Sequence, residues 1–231
     1  MRWSYIVSAS AMIFITGCGG SAGGVNVWDA VEQDDAADIK TYSNAEGDLD
    51  IRSFGGETPL FLALSLKHFE SYKALLECGA DPNVIMSKQR VVTHWAAIED
   101  DPKWLKLALE HEADPNLVNI GSGPPFEGTP FHFAITNSHI DNIKLLIQYG
   151  ADINKPDHLD CPPVTVATLQ NDFEVVLLLL ESGAEYKSAR CGGRTFQEIM
   201  DERKLIKDKY FDRPEVQQQL RTIETWLEEH K

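Results

Sequence analysis

Basic residues are scarce in this chain: 21 Lys and Arg face 36 Asp and Glu in 231 residues, a formal charge of −15 at pH 7. That deficit disfavours nucleic acid and anionic lipid surfaces, which are gripped through Lys and Arg, and favours a basic partner. Long apolar runs are lacking at the front as well. Tyr5 to Thr16 spans twelve residues, too few to cross a bilayer, which takes about 20. Catalytic signatures are missing too. There is no His-Glu-x-x-His pair, no Gly-x-Ser-x-Gly turn and no paired Cys-x-x-Cys. Gly17-x-Gly19-x-x-Ala22 mimics a dinucleotide fingerprint, but no strand–helix–strand unit surrounds it. The sequence therefore predicts no catalytic residue, no metal and no cofactor.

Against these absences stands a repeat. Ala80-Asp81-Pro82-Asn83 recurs 33 residues on as Ala113-Asp114-Pro115-Asn116, then 38 on as Ala151-Asp152-Ile153-Asn154, then 33 on as Ala184-Glu185-Tyr186-Lys187. Other columns keep the same register: Ala63, Ala96, Ala134 and Ala167; Leu76, Leu109, Ile147 and Leu180; Thr58, Val91, Thr129, Pro162 and Thr195. Each column has a physical reading. Thr58-Pro59 and Thr129-Pro130 open helices, because Pro loses nothing at the first helical position and Thr can cap free amides. The alanines mark close helix–helix approach. Gly79, Gly150 and Gly183 end second helices in the left-handed conformation, and Glu112 breaks that column, predicting strain or rearrangement there. In the last segment Val216, Leu220, Ile223 and Leu227 keep the spacing of an amphipathic helix.

A period of 33 with Thr-Pro-Leu-His-x-Ala-like starts resembles the ankyrin-repeat family, from about Val25 to the C-terminus and most closely over 55–183. The resemblance implies an all-α solenoid of stacked helix-turn-helix units with β-hairpin finger loops. It has about six units, with polar caps at 29–51 and 195–231. His94 and His132 then stand at the family's scaffold histidine, and His68 and His139 at the turn between helices. The family grips proteins on a concave face made by fingers and first helices. Here that face maps to Phe54, Glu57, Lys88, Arg90, Phe126 and Leu159 in the fingers. On the helices it maps to Ser65, Leu66, Ile98, Glu99, Thr136, Asn137, Leu169 and Gln170. Several are apolar where solvent favours polar residues. Five extra residues lengthen one finger, which offers Pro124, Pro125 and Phe126.

The first 17 residues carry Arg2, an apolar run and small residues, the pattern of a secretory signal. Ile15-Thr16-Gly17-Cys18 resembles the bacterial lipoprotein box. That resemblance implies cleavage before Cys18, lipidation of its thiol, and a flexible tether over 18–24 ahead of the repeat domain at 25–231. Gly19 after the cysteine implies sorting to the outer membrane, facing the periplasm. Cleavage removes Arg2 and no acid, leaving 20 basic against 36 acidic residues, a formal −16. Cys78 is expected as a small buried side chain. Cys161 and Cys191 fall in consecutive fingers, three residues off full equivalence. An oxidising periplasm permits a bridge between them, though the reach is strained.

These features resemble bacterial ankyrin-repeat lipoproteins that act as immunity proteins against periplasm-directed antibacterial effectors, often phospholipases. A scaffold or helper for an envelope enzyme, such as the ankyrin proteins associated with catalase, fits equally. Both readings imply a protein partner encoded nearby, membrane contact only through the anchor, and no nucleic acid.

Overall fold

From α1 to α10 the described helices come as pairs, a short first helix, a turn and a second helix, and particular side chains set where several of them begin. The computed structural model describes residues 20–87, 91–119, 128–205 and 213–230. Twelve helices alternate along them: α1 (Val27–Glu32), α2 (Ala36–Asn44), α3 (Pro59–Leu66), α4 (Phe69–Glu77), α5 (Val92–Ala96), α6 (Lys103–Glu110), α7 (Pro130–Thr136), α8 (Ile140–Gln148), α9 (Pro163–Leu169), α10 (Phe173–Glu181), α11 (Phe196–Leu205) and α12 (Pro214–Glu229). Asn26 caps α1 by accepting from the amides of Trp28 and Asp29, Asp35 caps α2, and Thr58 accepts from the Phe61 amide at 3.3 Å. Asp101 accepts from the Lys103 amide at 3.0 Å, so an Asp-Pro pair starts α6.

The chain divides into two compact parts, residues of Met1–Ala96 with Lys106–Ala113, and Ala97–Leu105 with Asp114–Lys231. In the first, α1, α3 and α5 stack in series and α2 packs on α4. In the second, α7, α9 and α11 stack, while α10 packs on α9 and α12. Ala63, Ala96, Ala134 and Ala167 are each 0% exposed, as close approach requires. Val216, Leu220, Ile223 and Leu227 form the buried side of α12. Burying four such side chains on one face, with polar residues opposite, seats α12 against α10.

Gly79, Gly150 and Gly183 close second helices at φ 98°, 82° and 90°. Glu112 takes the same route at φ 64° rather than rearranging the turn. Its carbonyl accepts from the Asn83 side-chain amide at 2.9 Å, which holds the strained residue in place. A side chain in this conformation costs about 1–2 kcal/mol. Glu112→Gly is therefore expected to stabilise the protein by about 1 kcal/mol, after the added freedom of the unfolded glycine is subtracted. Urea unfolding measures it; a midpoint that stays put or falls contradicts the strain.

The recurring Ala-Asp-x-Asn landmark also has a mechanical role. Asn116 donates to the Gly150 carbonyl at 3.0 Å and accepts from the Asp152 amide at 2.7 Å, both on the following repeat. Asn154 accepts from the Glu185 amide at 2.8 Å. In the first part, Asp50 holds the equivalent place and accepts from the Asp81 amide at 3.0 Å. Burial raises the Asp50 pKa against that hydrogen bond, and the neighbouring Asp81 and Asp48 charges add to the rise.

Two expectations change. The Gly-rich stretch expected as a flexible tether is, over its described residues, part of a hairpin: β1 (Ser21–Ala22) pairs antiparallel with β2 (Val25–Asn26). Gly23 and Gly24 turn it at φ 59° and 80°, and a Cβ on Gly23 would sit 3.0 Å from Ala45 Cβ on the α2 side. Two glycines between short pairing strands make a tight turn instead of a linker. Cys78 is half-buried rather than core, because it caps α4 where the chain turns outward, and its thiol is free.

Candidate functional site

In the first part, the finger ahead of α3 is closed by Ser53. Its amide donates to the Glu57 carbonyl at 2.9 Å and its carbonyl accepts from Gly56 at 2.8 Å. Gly56, at φ 75°, lies so close to Ser87 that a Cβ would meet Oγ at 1.8 Å. This tight base lifts Phe54 to the tip, 84% exposed, with Glu57 half-buried behind it. Leu66 ends α3 at 43% exposed, beside Lys67 in the left-handed conformation. Ser65 spends its hydroxyl on the Phe61 carbonyl, at 2.7 Å, so it offers a partner less than its type implies.

In the second part, the finger ahead of α9 is built around Asp157. Its carboxylate accepts from the amides of Leu159 and Cys161, both at 2.9 Å, and its own amide donates to the Cys161 carbonyl at 3.0 Å. Leu159 stands at the tip, 64% exposed. Thr136, Asn137 and Gln170 are exposed at the ends of α7 and α9, with the Asn137 amide turned onto the Phe133 carbonyl at 2.8 Å. Ile98 and Glu99 are half-buried, and the Glu99 carbonyl accepts from Asn142. Leu169 is half-buried and packs against a small core of Cys161, Cys191 and Ile199. The lengthened finger is pinned at its neck by Asn119 and Gly128, which exchange hydrogen bonds of 2.8 and 3.1 Å. Phe126, Lys88, Arg90 and Cys18 lie outside the described residues.

Cys161 and Cys191 are joined by a disulfide, with Cα atoms 4.5 Å apart. The offset of three residues is absorbed by hairpin β3 (Arg190–Cys191) and β4 (Arg194–Thr195), which carries Cys191 at its inner end. The histidines hold the scaffold. His68 Nδ1 bonds the Val31 carbonyl at 2.7 Å, and His132 Nδ1 accepts from the Thr129 amide at 3.3 Å. His94 and His132 are buried. Burial lowers the His132 pKa to about 4. Among the described residues no three His, Cys, Asp or Glu side chains gather as a metal site, and no helix is long and apolar enough to cross a membrane.

Comparison with known proteins follows the same columns. A model of three ankyrin repeat copies matches residues 93–190, and a single ankyrin repeat matches residues 55–87. The chain is 32% identical to the chicken (Gallus gallus) nuclear factor NF-kappa-B p105 subunit over 142 residues, 60% of this chain and 14% of that protein. It is 28% identical to a putative ankyrin repeat protein, FPV031, of fowlpox virus over 162 residues, 65% of this chain and 45% of that protein. The chain thus spans less than half the length of these relatives. Among solved structures, the ankyrin repeat protein EF0377 superposes with a TM-score of 0.65 at 27% identity, covering 77% of this chain and 90% of that one. The ankyrin repeat domain of Bcl-3 gives 0.64 at 22% identity over 79% and 82%, a likeness of fold alone. Matched columns, paired helices and finger hairpins agree, and the chain belongs to the ankyrin-repeat family.

Proposed function

We propose that this chain is a lipid-anchored envelope protein that binds and neutralises a secreted antibacterial effector, such as a phospholipase. Ankyrin repeats imply a protein-binding scaffold, and the observation that carries the reading is the pair of exposed apolar side chains in the first part. Phe54, on a hydrogen-bonded finger, and Leu66, at the end of α3, are held out by rigid backbone, at 84% and 43% exposure. Apolar anchors set on rigid elements are where binding energy concentrates. Leu159 does the same for the second part. The acidic surface supports a basic partner. The lipoprotein-like box at Cys18 supports anchoring, which raises the inhibitor's local concentration where a lipid-cleaving effector must act.

The test is co-expression with the product of the neighbouring gene, followed by pull-down. Truncating a true anchor costs 2 kcal/mol or more, roughly thirtyfold in affinity. Phe54→Asp with Leu66→Asp is expected to lose the complex and protection, whereas Lys73→Glu and Lys144→Glu, on second helices, keep both. The reverse pattern places the surface elsewhere. A neighbouring gene for a catalase-like enzyme, captured through the same residues, makes the chain a helper instead. Separately, Cys18→Ser is expected to leave an uncleaved precursor; unchanged outer-membrane fractionation removes the anchor from the reading.

A further inference from the structure

The final repeat is held differently from those before it in the second part. α11 packs on α9 and α12 on α10, so each helix leans on the preceding repeat. Lys204 on α11 reaches Glu224 on α12 at 2.9 Å across a half-exposed surface, a contact worth little in water. The contacts of this repeat run to the repeat before it, through α9 and α10. In repeat arrays stability is a sum of repeats and neighbour interfaces, so a repeat held through few interfaces opens readily.

The disulfide crosses this junction. Cys161 closes the finger that displays Leu159, and Cys191 ends β3, whose hairpin leads into α11 through Thr195 and Glu198. The bond closes a segment of 30 residues containing α9 and α10. Both cysteines are buried, at 3% and 7% exposure, with Ile199 of α11 in the same small core. Burial at this level keeps the bond away from solvent reductant while the repeat stays docked.

We propose that the Cys161–Cys191 bond is a compartment-dependent lock. In a reducing compartment the two thiols leave β3, β4 and α11 unsecured. After arrival in an oxidising compartment the bond forms, fixing the final repeat and the Leu159 finger together. The reaction is exchange with a thiol–disulfide oxidase. One cysteine thiolate attacks the oxidase disulfide to form a mixed disulfide, and the second displaces the oxidase. Two electrons and, by way of solvent, the two thiol protons end on the oxidase, which leaves as a dithiol. This lock stands or falls independently of the immunity reading, because it needs no partner.

Hydrogen exchange on the full chain tests it, with mass spectrometry of peptides from 155–161 and 189–205. Two reduced forms are compared with the oxidised protein: Cys161→Ser with Cys191→Ser, and wild type reduced in place and held reduced by dithiothreitol. The second form needs no refolding, so it decides the matter if the double variant misfolds. Exchange is expected to quicken at least tenfold in both windows, with α3 and α4 unchanged. Equal exchange in oxidised and reduced protein overturns the proposal. So does quickening spread evenly into α3 and α4, or the absence of a linked Cys161–Cys191 peptide from protein made in an oxidising compartment.

Discussion

Between pH 7 and pH 4 the wild-type protein is expected to lose up to about 3 kcal/mol more stability than a His132→Gln variant. The imidazole is 4% exposed, and its pKa falls from 6.5 to about 4. Burial is the main cause; His158 and Lys155 push the same way, while Asp157 and the Cys161 backbone oppose it. The neutral ring also accepts the Thr129 amide at Nδ1, which a protonated ring cannot do. The sign follows from the proton count. Above the unfolded pKa of 6.5 neither state binds the proton and His132 carries no penalty. As the pH falls towards about 4 the unfolded chain takes up a proton that the native ring refuses, so stability drains away across that window. Urea unfolding at pH 7, 5.5 and 4 separates this residue from the many carboxylates common to both proteins. Parallel curves for the two would refute it.

Phe173→Ala is expected to cost about 3–5 kcal/mol, the usual toll for deleting a buried ring. Phe173 opens α10, a helix that packs on α9 and α12, and is 1% exposed. Contacts in such arrays run between neighbours, so the damage should stay local. Helices α9 to α12 should lose exchange protection while α3 and α4 keep theirs, and urea unfolding should split into two steps. A loss under 1 kcal/mol, or one uniform transition, counts against neighbour-limited coupling.

Much of the fold was legible because each landmark depends on one side chain in a fixed local register. The alanine column, the glycine caps and the buried side of α12 are of this kind. The Glu112 break was legible as strain, but whether the turn would yield depended on Asn83, 29 residues away in sequence. The hairpin at Ser21–Asn26 was misread because glycines signal a tether or a tight turn alike, and only packing against α2 distinguishes them. For the site, exposure at Phe54, Leu66 and Leu159 followed from apolar residues at loop and helix ends. Leu169 followed the same pattern yet is half-buried, because it packs against the Cys161, Cys191 and Ile199 cluster, a contact between distant parts of the sequence. The cysteine pair could be proposed from spacing, but its register is set by hairpin β3–β4.

The asparagine rungs carry a consequence for how such a chain can change. The side chains of Asn83, Asn116 and Asn154 all reach main-chain groups of the next repeat. Peptide groups are the same whatever residues carry them, so a joint made this way is indifferent to its neighbour's sequence. A repeat could be duplicated, deleted or exchanged by recombination with the joint already in place. Fingers and first helices could then diverge towards a new target while the connections stay standard.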